Sequence, residues 1–261
     1  MDETTRFDIM IESLVELTQQ DQAHQTPPAP DLPTLRSVLA DASPLPREAL
    51  FLGLADDGLP VLLNLYDPTP GPLLITGDQG SGKTRLLQTA ARATDLLHTP
   101  SEIRYVVITP YPKEWNFFKE NQNNAGIYSA QNSNAEELLR SLVTWTHNNK
   151  GEEQSVLLLI DNIESVIKLN QQVEQNLRWL LARGPSRHVW PIVTLNAARA
   201  FELREWMSFF NTRLFGHVEN LEESTFITGN SKHTLNHLMA GSQFALLEGN
   251  ELLNFWNPIS D

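Results

Sequence analysis

The sequence predicts an α/β fold: a mainly parallel central sheet flanked by helices and closed by a C-terminal β-hairpin. Three observations carry that expectation. From about Leu50 onward, short apolar runs of strand length alternate with longer stretches of helical periodicity. One such run, residues 73–76, passes through a glycine-rich turn straight into a helical segment. The tail splits into two apolar runs around Gly249-Asn250. Strands that alternate with helices are joined by crossovers, which lay them parallel and cover the sheet on both faces.

Taken in order, residues 1–20 carry Phe7, Met10, Ile11, Leu14 and Leu17 at three- and four-residue spacing, one apolar stripe on a short helix. Residues 21–48 open with a Gln/Pro-rich stretch too poor in apolar side chains to bury surface, and read as a linker. A stripe on such a tether either packs back on its own domain or docks a protein partner or neighbouring subunit. Residues 49–261 form the α/β domain. Within it, residues 61–65 and 73–76 read as strands, 84–97 as a helix, 104–109 as a strand and 135–146 as a helix. A buried strand over 156–161, a helix over 171–182 and a strand over 190–195 follow. Residues 242–247 and 251–256 pair as the closing hairpin. Arg204, Trp206, Phe209 and Phe210 read as an amphipathic helix against the core. Trp115, Phe117 and Phe118 read as sheet–helix packing in preference to a base-stacking platform.

With 41% hydrophobic residues the chain can bury a sizeable core. It has no cysteine, which excludes disulfides and thiolate metal sites and fits a reducing interior. No apolar run approaches the roughly 20 residues that span a bilayer. The N-terminus opens on Asp2 and Glu3, the wrong sign for a signal peptide. The expectation is a cytoplasmic chain without membrane attachment. The formal charge is −13, from 19 basic and 32 acidic residues. Such a balance repels nucleic acid at long range, because non-specific affinity comes from Lys and Arg on phosphates. DNA held in the pore of an oligomer, where only local charge acts, stays compatible with it.

The turn after residues 73–76 reads Gly77-Asp78-Gln79-Gly80-Ser81-Gly82-Lys83-Thr84 and matches G-x-x-x-x-G-K-[ST]. Its glycines let backbone amides converge on phosphate oxygens, and the following helix adds the positive end of its dipole. Lys83 is placed to reach the β- and γ-phosphates and the Thr84 hydroxyl to coordinate magnesium, with Arg85 completing the nucleotide-contacting run. The ligand expected is a nucleoside triphosphate, Mg-ATP. A P-loop also needs a carboxylate on a neighbouring strand for the metal. Val156-Leu157-Leu158-Leu159-Ile160-Asp161 ends in one, so Thr84 and Asp161 form the metal pair; the competing role for Asp161 is a helix cap. The next residue is Asn162, where many such ATPases carry a glutamate that polarises the attacking water. An amide cannot accept that proton. Glu164 reaches the site only if the strand continues. The seven histidines lack ligand spacing, so no metal beyond magnesium is expected.

Further segments resemble the FtsK/HerA superfamily of ring-forming ATPases. Gly53-Leu54-Ala55-Asp56-Asp57-Gly58-Leu59-Pro60-Val61 looks like the hairpin before its P-loop strand. Tyr111-Pro112-Lys113-Glu114 resembles its Asp-Pro-Lys segment, with Tyr111 where the acid sits. Trp190-Pro191-Ile192-Val193-Thr194-Leu195-Asn196 is similar to the strand ending in a polar sensor, normally Gln and here Asn196. Asn211-Thr212-Arg213-Leu214-Phe215-Gly216-His217-Val218 resembles the strand before the C-terminal hairpins, and Gly241 to Leu247 the closing strand. The resemblance runs from about residue 50 to the end. It implies a homo-oligomeric ring, a hexamer, that drives DNA or protein, with an arginine supplied by the adjacent subunit. Arg183 and Arg187 fall in the region where the family places it, ahead of Arg213. Asn162 and Tyr111 depart from the family pattern, as in a divergent member. Two alternatives stand beside this reading: an ATP-binding interaction or scaffold subunit that hydrolyses little, and an AAA+ ATPase. The hairpin-like tail, where an AAA+ chain has a helical lid, favours FtsK/HerA.

Overall fold

The computed structural model describes residues 32–149 and 154–261; the apolar stripe of residues 1–20 lies outside them. Ten strands form one sheet: β1 (Ala49–Ala55), β2 (Pro60–Asn64), β3 (Leu73–Gly77), β4 (Ile103–Thr109), β5 (Asn124–Ser129), β6 (Ser155–Ile160), β7 (Val189–Asn196), β8 (Thr212–Phe215), β9 (Gln243–Glu248) and β10 (Glu251–Trp256). Their order is β2-β1-β10-β9-β8-β3-β7-β6-β4-β5. From β8 to β5 every pairing is parallel. From β8 to β2 every pairing is antiparallel. The helices are α1 (Leu35–Asp41), α2 (Lys83–Leu97), α3 (Ser133–Asn148), α4 (Ile163–Ile167), α5 (Gln171–Arg183), α6 (Arg204–Met207) and α7 (Leu221–Thr228).

β6 shows why the parallel half forms. All six of its residues are buried, so it has no polar face to offer water and needs cover on both sides. Val156, Leu158 and Ile160 join a cluster with Leu139 and Leu142 of α3 and Leu177 and Leu180 of α5. Leu157 and Leu159 point the other way, into a cluster with Leu86, Leu87 and Ala90 of α2. This period of two sorts one strand into two cores, and each leucine so buried contributes roughly 1.5–3 kcal/mol. Asn132, Asn170 and Asn220 cap α3, α5 and α7 through their side chains. α2 has no such cap: it starts from Gly82 at φ 93°, which leaves its first amides to the loop.

Both expected hairpins are present. β1 and β2 pair Leu54 with Pro60, and β9 and β10 pair Glu248 with Glu251. The range read as linker is another matter, because residues 34–41 of it are folded. Thr34 caps α1, and Leu35, Val38 and Leu39 pack on Phe51 and Ala93. Leu35 N also donates to Ile259 O at 2.8 Å, fastening α1 to the end of the chain. A seven-residue helix shows only half a stripe, which proline-rich neighbours hide. β5 and α7 were likewise not expected. β5 is a half-exposed edge strand with Gly126 at φ 145°, and α7 is rich in Glu, Ser and Thr.

Candidate nucleotide site

β3 ends at Gly77, paired across the sheet with Asn196 of β7. The loop that follows turns through Gly80 at φ 83° and Gly82 at φ 93°, a left-handed region that a Cβ disfavours. At Gly82 the space is closed as well: a Cβ would stand 2.8 Å from the Cα of Gly241. Asp78 pins the loop to the segment after β8, its N–H donating to His217 O and its Oδ2 accepting from Glu219 N. Lys83 Nζ lies inside the loop and donates to the carbonyls of Gly77 (2.8 Å) and Asp78 (2.6 Å). Burial pushes its pKa down to about 8, against the upward pull of Asp78, Asp161 and Glu164.

Thr84, in the first turn of α2, donates its hydroxyl to both oxygens of Asp161, at 3.0 and 3.1 Å. Thr194 of β7 donates to Oδ1 at 3.2 Å and Thr109 of β4 to Oδ2 at 3.3 Å. The carboxylate is buried, which raises its pKa, and the three hydroxyls oppose that shift. The indole N–H of fully buried Trp115 faces the same group without closing a hydrogen bond. Asp161 does not cap α4; Asn162 occupies that position. The expectation of a carboxylate on the strand next to the P-loop strand needs correction: β7 lies between β3 and β6. Thr194 sits on that intervening strand and ties it to the end of β6. The sequence reading missed Thr194, Thr109 and Trp115, and the signal for the first two was a threonine near the end of an otherwise apolar strand. A hydroxyl and a carboxylate in contact fit magnesium, a hard cation that takes oxygen donors and keeps room for water and phosphate.

Asn162 stands at φ 77°, donates its N–H to Thr194 Oγ1 at 2.7 Å, and buries a side-chain oxygen without a partner. The strand does not continue past it. Glu164 therefore lies in the first turn of α4, where one oxygen is 3.4 Å from Arg199 Nε and the other is buried and unpartnered. Helix formation at Ile163 replaces the strand continuation on which the reach of Glu164 depended, while its charge still acts on Lys83.

These groups surround a cleft of about 810 Å³. Gln79, Gly80, Gly82, Lys83, Thr84 and Arg85 line it from the loop, and Asp161, Asn162, Thr194 and Asn196 from the strand ends. Gln88, Pro110, Tyr111 and Glu114 form the remaining wall. Asn196 turns its side-chain oxygen to Ala198 N. Arg183 and Arg187 are exposed and do not line this cleft. Arg187 precedes β7 and donates to Asn149 O, so roughly 25 Å of strand separates it from Asn196. Arg213 is held by the carbonyls of Phe210, Ile227 and Met207, the grip of a structural residue. Trp115 and Phe118 are buried in the core and Phe117 is 92% exposed. Among the described residues there is no cluster of three or more metal-ligating side chains, and no helix is long and apolar enough to cross a membrane.

No family model matches the sequence, and no curated protein does. Solved structures do match. The cytoplasmic domain of the type VII secretion ATPase EccC of Thermomonospora curvata superposes with a TM-score of 0.64 at 18% identity, covering 85% of this chain and 30% of that one. The pCW3 conjugation coupling protein TcpA, a monomer form with ATPγS, gives 0.65 at 12% identity, over 82% of this chain and 67% of that one. The genome packaging NTPase B204 of Sulfolobus turreted icosahedral virus 2, in complex with AMPPCP, gives 0.51 at 15% identity, over 75% and 100%. The chain thus spans less than half the length of the EccC cytoplasmic domain. In fold, and over most of its own length, the chain is similar to a secretion ATPase, a conjugation coupling protein and a genome packaging NTPase.

Proposed function

We propose that this chain binds Mg-ATP in the cleft at Gly77 to Arg85 and hydrolyses it as a subunit of a homo-oligomeric ring that moves DNA or protein. The observation that carries this reading is the contact of the Thr84 hydroxyl with the Asp161 carboxylate in the cleft that also holds Lys83. Loop amides and the N-terminus of α2 bind phosphate oxygens, and Lys83 exchanges its loop carbonyls for the anionic phosphates. Magnesium, held by Thr84 and Asp161, would neutralise charge on the β- and γ-phosphates. Asn196, beside Gly77, senses the γ-phosphate. Arg183 and Arg187, exposed and outside the lining of their own cleft, serve the neighbouring subunit's site. The named activities of the matched proteins, secretion, conjugation and genome packaging, support a motor acting on protein or DNA. The stripe of residues 1–20 is the proposed docking element for a protein partner.

The test is steady-state phosphate release with Mg-ATP for the wild type, Lys83→Ala and Asn162→Glu. Turnover in the wild type that Lys83→Ala abolishes supports the reading. A second reading is favoured by one observation, the amide at Asn162 where a base belongs: ATP as a structural ligand in a subunit that hydrolyses little. Tight binding without turnover, restored by Asn162→Glu, would establish that reading and refute the first.

A further inference from the structure

Hydrolysis needs a group that takes a proton from the attacking water, and the residues nearest the metal pair do not supply one. Asp161 already accepts from Thr84, Thr109 and Thr194. Asn162 is an amide. Glu164 acts on Lys83 through its charge, but one of its oxygens lies 3.4 Å from Arg199 Nε and the residue does not line the cleft. A second acidic residue does line it, Glu114.

Glu114 sits in a 3₁₀ turn, Pro112–Phe118, directly after β4, the strand beside β6. The turn is fastened on three sides. Tyr111 N–H donates to Thr109 Oγ1, the same hydroxyl that donates to Asp161. The next side chain along, Trp115, is fully buried with its indole N–H toward Asp161. Gln88 Nε2 donates to the Glu114 carbonyl at 3.0 Å. Gln88 lies four residues after Thr84, so both occupy one face of α2, about 6 Å apart along its axis. The backbone at 114 is thereby tied to α2 through Gln88, one turn along from Thr84, and the residue is exposed in the cleft wall.

We propose that Glu114 is the general base of this ATPase, the role that position 162 cannot fill; the proposal rests on the reading of the chain as an ATPase. The oxygen of a water molecule bonds to the γ-phosphorus as the bond from that phosphorus to the β,γ-bridging oxygen breaks. The electron pair leaves with ADP, and one water proton passes to the Glu114 carboxylate and from there to solvent. The products are ADP and inorganic phosphate.

The experiment measures phosphate release and the binding of a fluorescent ATP analogue for the full chain, for Glu114→Gln and Glu114→Asp, and for Glu120→Gln as a neighbouring exposed control. Glu114→Gln is expected to lower kcat by about a hundredfold or more while leaving analogue affinity and melting temperature unchanged. Glu114→Asp, which keeps the carboxylate, is expected to retain part of the turnover, and Glu120→Gln all of it. Wild-type turnover that survives in Glu114→Gln overturns the role of Glu114 and leaves the ATPase reading standing. Weakened binding at unchanged kcat also overturns it, making Glu114 a contact to the ribose or base. A wild type that binds the analogue but releases no phosphate defeats the ATPase reading itself, and the base with it.

Discussion

Lys83 and Asp161 each carry a charge that burial opposes, and the loop and the three hydroxyls hold them there. Lys83 is the clearer case for a pH measurement. Its pKa falls from 10.5 unfolded to about 8 folded, so between those values the unfolded chain binds more protons and stability rises with pH. Below about 8 the cost of burying the ammonium is present in full. ATP, an anion, favours the charged form. Nucleotide binding in the window from about 8 to 10.5 is therefore expected to take up a proton. Calorimetry in two buffers of different ionisation enthalpy measures that uptake, and equal heats in both would contradict it. Gly82 provides a steric counterpart. Gly82→Ala places a Cβ at φ 93° and 2.8 Å from Gly241, a strain expected to destabilise by about 2 kcal/mol or more and to weaken nucleotide binding. Denaturant unfolding and analogue titration check the two effects.

Among the elements, α1 and β7 changed the picture most. α1 is core, not tether: Leu35 is fully buried, and Leu35→Ala is expected to cost about 2–4 kcal/mol, read from the unfolding midpoint. A loss below about 0.5 kcal/mol would return the segment to a linker. β7 sets the spacing of the site, because it separates the P-loop strand from the strand that ends in Asp161. Thr194 ties β7 to the end of β6 by donating to Asp161 and accepting from the N–H of Asn162. Thr194→Val keeps the shape but removes both bonds and leaves a buried donor unpaired. It is expected to cost about 1–3 kcal/mol. Unfolding measured with and without Mg-ATP tests whether the loss falls on the site.

For the whole molecule, the placement of Arg183 and Arg187 matters more than their identity. They are exposed and absent from the lining of the cleft, whereas Arg213 is captured by three carbonyls. An arginine serving a neighbour is expected to leave ATP affinity intact and to lower turnover when replaced. Arg183→Ala and Arg187→Ala are therefore to be assayed by analogue binding and by phosphate release across protein concentration. Turnover per subunit that does not rise with concentration in the wild type would count against the ring. The net charge of −13 adds a separate expectation: binding to DNA falls steeply as salt rises and comes from local basic groups.

The sequence by itself determined the phosphate loop, the strand that ends in Asp161 and the two hairpins. Each is a local pattern, in which glycine conformations, an unbroken apolar run or a turn between two strands suffices to specify the outcome. Asn162 was legible in the same way, as an amide where a base was needed. Only the tertiary structure decided that β7 stands between β3 and β6, that Thr84, Thr109 and Thr194 converge on one carboxylate, and that Glu114 shares their cleft. It also set Glu164 beside Arg199 and put Arg213 to structural use. The physical reason is the same each time. Strand order and side-chain convergence depend on pairings between segments far apart in the chain, and no window of sequence contains both partners.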